Sequence, residues 1–253
     1  MIFKNISQLI VMLLAMLTPY VYLQKYKKAQ EIPKIRDLPA LEVIPEMIGR
    51  AAEMGAKCLW SPGIRKAVDA RVICGLSILE TVSELAVEKG SSVVSVTAGP
   101  VLMPLIEDAM ITGFTNSGQP QLKPDVRFLT DQQFAYCAGV MGIIERENCQ
   151  ANFFTGGWAD EALPISAAGN AVGAMQIAGD TNMYQLPYFV CTCDYVMIAE
   201  EFLVSGAVLS QDIELLGGII GSDILKYILI AVGILGIVAT SIGSDLIIQL
   251  LSL

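Results

Sequence analysis

The sequence predicts an α/β protein: an open, mostly parallel sheet of about five strands with helices on both faces, flanked by one transmembrane helix near each terminus. Three observations predict it. Between residues 31 and 210, apolar runs of strand length alternate with helix-length amphipathic stretches, the pattern of a parallel sheet covered by helices. Uncharged apolar segments stand close to both ends of the 253-residue chain. Apolar residues reach 54% and charged residues only 16%, an excess over ordinary soluble domains that membrane segments account for.

Taken in chain order, the first element is the apolar stretch from Ile6 to Leu23, which carries no charge. At 1.5 Å per residue, about 18 residues nearly cross a hydrocarbon core of about 30 Å. Tyr20, Tyr22 and Tyr26 supply an interfacial belt, and Lys25, Lys27, Lys28, Lys34 and Arg36 follow at once. Lysine and arginine mark the cytoplasmic side, so the central domain is expected there, with both termini outside the cell membrane. The segments are therefore 1–29, an anchor with its basic juxtamembrane stretch; 30–212, a cytoplasmic α/β domain; and 213–253, a C-terminal transmembrane segment. The second span itself is expected over 224–242, with Lys226 and Tyr227 at the cytoplasmic edge. Within and just beyond it, Gly233, Gly236, Ala239 and Gly243 form a stripe of small residues of the kind that lets helices approach closely in lipid.

In the domain between, strands are expected at 57–60, 92–97, 126–129, 152–155 and 174–178. Helices are expected at 40–54, 68–88, 101–113, 131–147 and 158–172, with a last one near 187–209. This succession is Rossmann-like. Gly55 and Gly90 are stop signals after two of the helices. The run Thr130-Asp131-Gln132-Gln133 has the spacing of a capping box, in which a hydroxyl residue and a glutamine three positions on satisfy free helix N–H groups. The stretch 186–193, LPYFVCTC, fits either a sixth strand or a helix opening at Pro187, and helix is the reading favoured.

Composition excludes more chemistry than it suggests. There is no histidine, which removes Ser-His-Asp and Cys-His nucleophiles, histidine-ligated zinc and histidine proton shuttles. A net charge of −9 argues against a nucleic-acid partner, because phosphate binding needs clustered cations. The six cysteines, Cys58, Cys74, Cys137, Cys149, Cys191 and Cys193, lack the spacing of a secreted disulfide framework and are expected as buried free thiols. Cys191 and Cys193 have no second pair to complete a metal site, so no metal and no cofactor is expected.

The candidate ligand edge comprises Ser61, Thr97, Gly99, Thr130, Asp131, Thr155, Gly156, Gly157 and Asp180. In open α/β sheets ligands bind at the carboxyl ends of the strands, and these residues end the expected strands or open the following turns. Thr155-Gly156-Gly157 has the shape of a backbone approach to phosphate, yet Asp160 and Glu161 follow where they complement the helix dipole and repel an anion. Thr97-Ala98-Gly99-Pro100 reads as a strand-to-helix turn with proline at an early helical position. Asp131, Asp160, Asp180 and Asp194 would have to converge to hold Mg²⁺ or act as acid and base; each also suits a cap or turn. Residues 169–179 are small and almost uncharged, and tight helix–strand packing is the favoured reading. No catalytic residue is assigned.

Several motifs together resemble those of an uncharacterised domain-of-unknown-function family of archaeal and bacterial membrane proteins. They are Ile48-Gly49-Arg50-Ala51 with Glu53-Met54-Gly55, Ser61-Pro62-Gly63, Asp125-Val126-Arg127-Phe128, Asp131-Gln132-Gln133-Phe134-Ala135-Tyr136, the run from Gly169 to Gly179, and Cys193-Asp194-Tyr195. The likeness covers approximately residues 36–211. It implies flanking spans and supplies no activity to carry across.

The function these features predict is that of a membrane-anchored structural or scaffold subunit. It would assemble with itself, as a homo-oligomer, or with the subunits of a larger membrane complex, with the lipid bilayer as its constant partner. The alternative is a membrane-bound ligand-binding protein or enzyme acting on a nucleotide or anionic metabolite at the carboxyl edge.

Overall fold

Strands buried on both faces must sit between two layers, and that requirement organises residues 36–210. A computed structural model describes residues 6–29 and 37–241. Two compact units emerge: residues 36–210 form one, and residues 1–35 with 211–253 form the other.

In the larger unit, α2 (Pro39–Glu42) and α3 (Ile44–Glu53) lead into β1 (Lys57–Ser61), then α4 (Ala70–Lys89), β2 (Val93–Thr97) and a short 3-10 turn (Pro100–Leu102) opening α5 (Met103–Asn116). There follow β3 (Asp125–Phe128), α6 (Gln133–Arg146), β4 (Cys149–Thr155), α7 (Ala162–Ala171), β5 (Met175–Asp180), α8 (Leu186–Thr192), β6 (Tyr195–Ile198) and α9 (Glu200–Ser210). All neighbouring strands are parallel, in the order β3-β2-β1-β4-β5-β6. The central strands β1, β2 and β4 are buried almost throughout, as expected of strands covered on both faces.

Side chains alternate across the sheet and fill two cores. On one face Trp60, Phe153 and Ile177 pack with Ile48 of α3, Ile78 of α4, Ile106 of α5 and Phe202 of α9. On the other, Leu59, Phe154 and Ala178 pack with Tyr136 of α6, Ile165 of α7 and Phe189 of α8. Phe154, Trp158 and Phe189 form an aromatic cluster there, with Trp158 edge-on to both rings.

The sheet has six strands where about five were expected. The sixth is neither within 186–193, which is helical as favoured, nor part of a continuous helix over 187–209: that helix is broken, and β6 lies inside it. Ala199 makes the turn from β6 to α9 in the left-handed region (φ 49°), which an alanine adopts only when its surroundings enforce it. The expected helix over 40–54 is likewise split. Pro45 has no N–H to donate back to Leu41, and the chain re-enters helix as α3. Gly55 (φ 62°) and Gly90 (φ 76°) end α3 and α4 as their sequence positions suggest.

The amino edge of the sheet is closed by ion pairs. Arg127 on β3 bonds Asp125 on its own strand and Glu147 after α6, and Glu147 also accepts from Lys57 on β1 at 2.8 Å. The Arg127 and Lys57 bonds lower the Glu147 carboxyl from 4.5 to about 2. A depressed folded-state pKa stabilises the fold fully above the unfolded value and loses that contribution as pH falls through the folded one. Replacing Glu147 by Gln is therefore expected to cost about 1 kcal/mol at pH 7, discounted for partial exposure, and next to nothing near pH 2. Urea midpoints of the two proteins, measured across that pH range, check this.

The smaller unit contains α1 (Ile6–Ala29) and α10 (Ile213–Ser241). They lie antiparallel: Gly217 meets Leu23, and Gly221, one turn further along α10, meets Pro19, one turn back along α1. Their near ends are joined by Lys27 and Glu214, 2.6 Å apart. Among the described residues, one helix is long and apolar enough to cross a membrane, over Ile213–Val238 with mean hydropathy 1.9. Of the expected small-residue stripe, Gly233 meets no neighbouring atom, the Ala239 side chain is not described, and Gly243 lies outside the described residues. Close backbone contacts with α1 are made at Gly217 and Gly221, a G-x-x-x-G spacing.

Candidate functional site at the carboxyl edge

The strand order reverses between β1 and β4, and open parallel sheets of this order bind ligands outside that point. Here the loops leaving the two strands, 62–69 and 156–161, close over it. Gly157 N–H donates to the Pro62 carbonyl at 3.0 Å, and Gly156 N–H to the Gly179 carbonyl at 3.1 Å. A Cβ at Gly156 would lie 2.3 Å from the Pro62 oxygen, and one at Gly157 would lie 2.2 Å from the Arg65 Nε. The two glycines thus let two loops and an arginine touch; the N–H groups that a phosphate would need are already donated.

The hydroxyls at the strand ends are engaged in the same way. Ser61 Oγ lies 2.6 Å from the Tyr136 hydroxyl and accepts from Gly63 N–H at 3.1 Å. Burial raises the Tyr136 phenol despite the bond from Ser61, so it remains a neutral donor. Thr155 Oγ1 accepts from the Trp60 indole at 2.8 Å, and Thr97 Oγ1 from Gly99 N–H at 3.1 Å. Gly99 in turn passes so close to Lys66 that a Cβ would sit 2.8 Å from the Lys66 Cα. Ser61, Thr97 and Thr155 are all fully buried.

Asp180, at the end of β5, is buried outright and accepts three backbone N–H groups: Trp158 at 2.9 Å, Thr181 at 2.6 Å and Asn182 at 3.1 Å. Arg71 of α4 stands 3.7 Å away. Burial nonetheless raises its carboxyl above the usual range, against the pull of those four groups. The residue ties the loop after β4 to the turn after β5.

Thr130 and Asp131 do not form a capping box. Helix α6 starts at Gln133 without a side-chain cap, and the Gln133 amide donates to Glu161 at 2.8 Å instead, a long-range partner outcompeting the local one. Thr130 Oγ1 accepts from Gln132 N–H at 3.2 Å, while Asp131 is exposed with Lys66 at 3.5 Å. Nor do the four aspartates converge. Asp194 accepts from Gln176 N–H at 2.8 Å near the start of β5, the opposite edge from Asp180. Among the described residues no group of three potential metal ligands is present.

Sequence reasoning passed over the residues that close this edge. Asp69 caps α4 through Val72 N–H at 3.0 Å and holds Arg71 at 2.7 Å. Burial works to raise its carboxyl, but those two partners outweigh burial and hold it below the ordinary range. Arg65 lies over Gly157, and Glu161 accepts from Ala159 N–H at 3.0 Å besides Gln133. The Asp69-x-Arg71 spacing before an apolar helical run was the available signal.

Around residues 169–179 the packing reading holds. A Cβ on Gly169 would fall 2.1 Å from the Gln176 side-chain oxygen, so α7 lies directly on β5. The Gln176 amide donates to the Ser166 and Thr192 carbonyls. At the amino edge a cavity of about 230 Å³ is lined by Lys57, Ser92, Phe114, Leu122, Lys123 and Asp125 among others.

The cysteines are free but not uniformly buried: Cys58, Cys137 and Cys149 are buried, Cys74 and Cys193 partly so, and Cys191 is exposed. Burial pushes Cys58 up to about 11, and Cys149 and Cys193 to about 12, so these thiols stay protonated at neutral pH.

No curated protein and no solved structure matches the chain. One family profile does, over residues 1–251, so that both terminal helices belong to the matched region along with the sheet. The chain belongs to the DUF6754 family, a domain of unknown function.

Proposed function

We propose that this protein is a membrane-anchored scaffold subunit, with α1 and α10 as two spans, both termini outside, and the α/β domain in the cytoplasm. The observation that carries the reading is α10: over Ile213–Val238 it is apolar, yet only 6% of its most apolar window is buried, which leaves lipid as its natural solvent. The antiparallel pairing of α1 with α10 supports two spans over one. A helix returning beside the first brings the start of α10 to the end of α1, where Lys25, Lys27 and Lys28 mark the cytoplasmic face. The domain is inserted between those two neighbouring ends.

The non-catalytic part of the reading is supported by the carboxyl edge. Its buried hydroxyls, glycine N–H groups and buried carboxylate are already bonded to neighbours within the fold, and such a group must break that bond to serve a ligand. What remains is a domain with a rigid edge, held at a membrane.

Cys191 gives the topology a direct readout, being exposed while the other thiols are wholly or partly buried. A membrane-impermeant maleimide is expected to label it in inverted vesicles and to leave it unlabelled in intact cells, with the chain resisting carbonate extraction. Labelling from outside intact cells would refute the orientation; release by carbonate would refute the anchoring.

A further inference from the structure

Every strand of the sheet delivers at least one large apolar side chain, exposed, at or just beyond its carboxyl end. In spatial order these are Phe134 after β3, Val101 after β2, Val68 after β1, Leu163 after β4, Tyr184 after β5 and Ile198 at the end of β6. Their exposures run from 42% for Leu163 to 82% for Phe134 and 85% for Tyr184. Single exposed apolar residues are ordinary, but here all six adjacent strand exits carry one, on both sides of the strand ends. With strands about 4.8 Å apart the six exits span roughly 24 Å. Large side chains present about 150–220 Å² each, so together they expose on the order of 700 Å², close to what one partner contributes to a standard stable interface.

We infer that this edge is the contact between copies of the chain, two carboxyl edges meeting face to face. The inference rests on the scaffold reading and names the surface through which it self-assembles. Area favours a protein partner, and charge favours a second copy. Among the apolar residues stand both signs, Arg65 and Lys66 with Asp131 and Asp160, and Lys66 and Asp131 hold each other only loosely at 3.5 Å with more than half of each side chain exposed. In a two-fold contact the same patch supplies cation and carboxylate to its mate, so the pairs re-form across the interface. An anionic lipid surface would instead face the Asp131 and Asp160 carboxylates as like charges. Aromatic anchors such as Phe134 and Tyr184 are the residue types that carry interface energy when desolvated.

The test is native mass spectrometry of the full chain in lipid nanodiscs, comparing wild type, the double variant Phe134→Ser/Tyr184→Ser, and Met54→Ser, which alters an exposed apolar residue beyond α3, away from this edge. The expected result is a wild-type dimer or higher oligomer, retained in Met54→Ser and at least tenfold weaker in the double variant, whose thermal unfolding stays unchanged because the altered side chains are exposed. A wild-type oligomer that survives the double substitution overturns this contact and leaves self-assembly standing. A wild-type monomer overturns both. A monomer whose nitroxide-labelled Tyr184→Cys variant shows lipid-like oxygen accessibility assigns the edge to the bilayer and overturns the inference as well.

Discussion

Replacing Asp180 by alanine is expected to lower unfolding stability by about 4 kcal/mol, because one buried and two partly buried backbone N–H groups lose their acceptor at once and each unsatisfied donor costs roughly 1–3 kcal/mol. The carboxylate reaches Trp158 with one oxygen and Thr181 and Asn182 with the other. Asparagine at this position keeps an acceptor for one side only. Its amide nitrogen would face the N–H of the other, so Asp180→Asn should fall between wild type and alanine, at about 2 kcal/mol. Asp160→Ala, at an exposed position in the same loop region, is the comparison and should change stability by less than about 0.5 kcal/mol. Urea midpoints of the four proteins decide the matter. Equal losses at Asp180 and Asp160 would mean that the clamp between the β4 and β5 exits contributes nothing beyond surface charge.

The second large effect belongs to the paired helices. A Cβ on Gly221 would stand 2.5 Å from the Pro19 Cα, and backbone cannot move aside as a flexible side chain can. Gly221→Leu is expected to separate α1 from α10 at a cost on the order of 3 kcal/mol, the range of overpacking in a close contact. The neighbouring Gly218, also on α10, has nothing within 4 Å of its would-be Cβ, so Gly218→Leu should be tolerated. Titration of both variants with sodium dodecyl sulfate, followed by protease sensitivity of the helix pair, compares them directly. If both behave as wild type, the pairing through Gly221 is not what holds these helices together.

How much of this was legible beforehand depended on the range of the interaction. The alternation of strands and helices, and the stops at Gly55 and Gly90, are local, and local periodicity reports them. Strand β6 was missed because nothing local announces it: no glycine or proline separates it from α9, and the turn falls on Ala199 in a conformation that only the surrounding fold imposes. The candidate edge shows the same divide. Ser61, Thr97, Thr155 and Asp180 were located at the strand ends from the sequence, but what they do there was not, since Ser61 meets Tyr136 75 residues away and Trp60 meets Thr155 95 residues away. Small residues in α10 were likewise noticed at Gly233 and beyond. Gly217 and Gly221 meet α1 closely, and placing them there requires knowing which part of α1 lies alongside.

The pairing of α1 with α10 also bears on how the chain is made. Helix α1 leaves the ribosome before any strand of the sheet, and the glycines it packs against are encoded some two hundred positions later. At synthesis rates of about 5–20 residues per second, α1 waits roughly 10–40 s for its mate. All six strands are made within that interval, so the sheet can form its parallel pairings before α10 exists. Ribosome-bound chains halted before Ile213 would capture the sheet with α1 still without its mate.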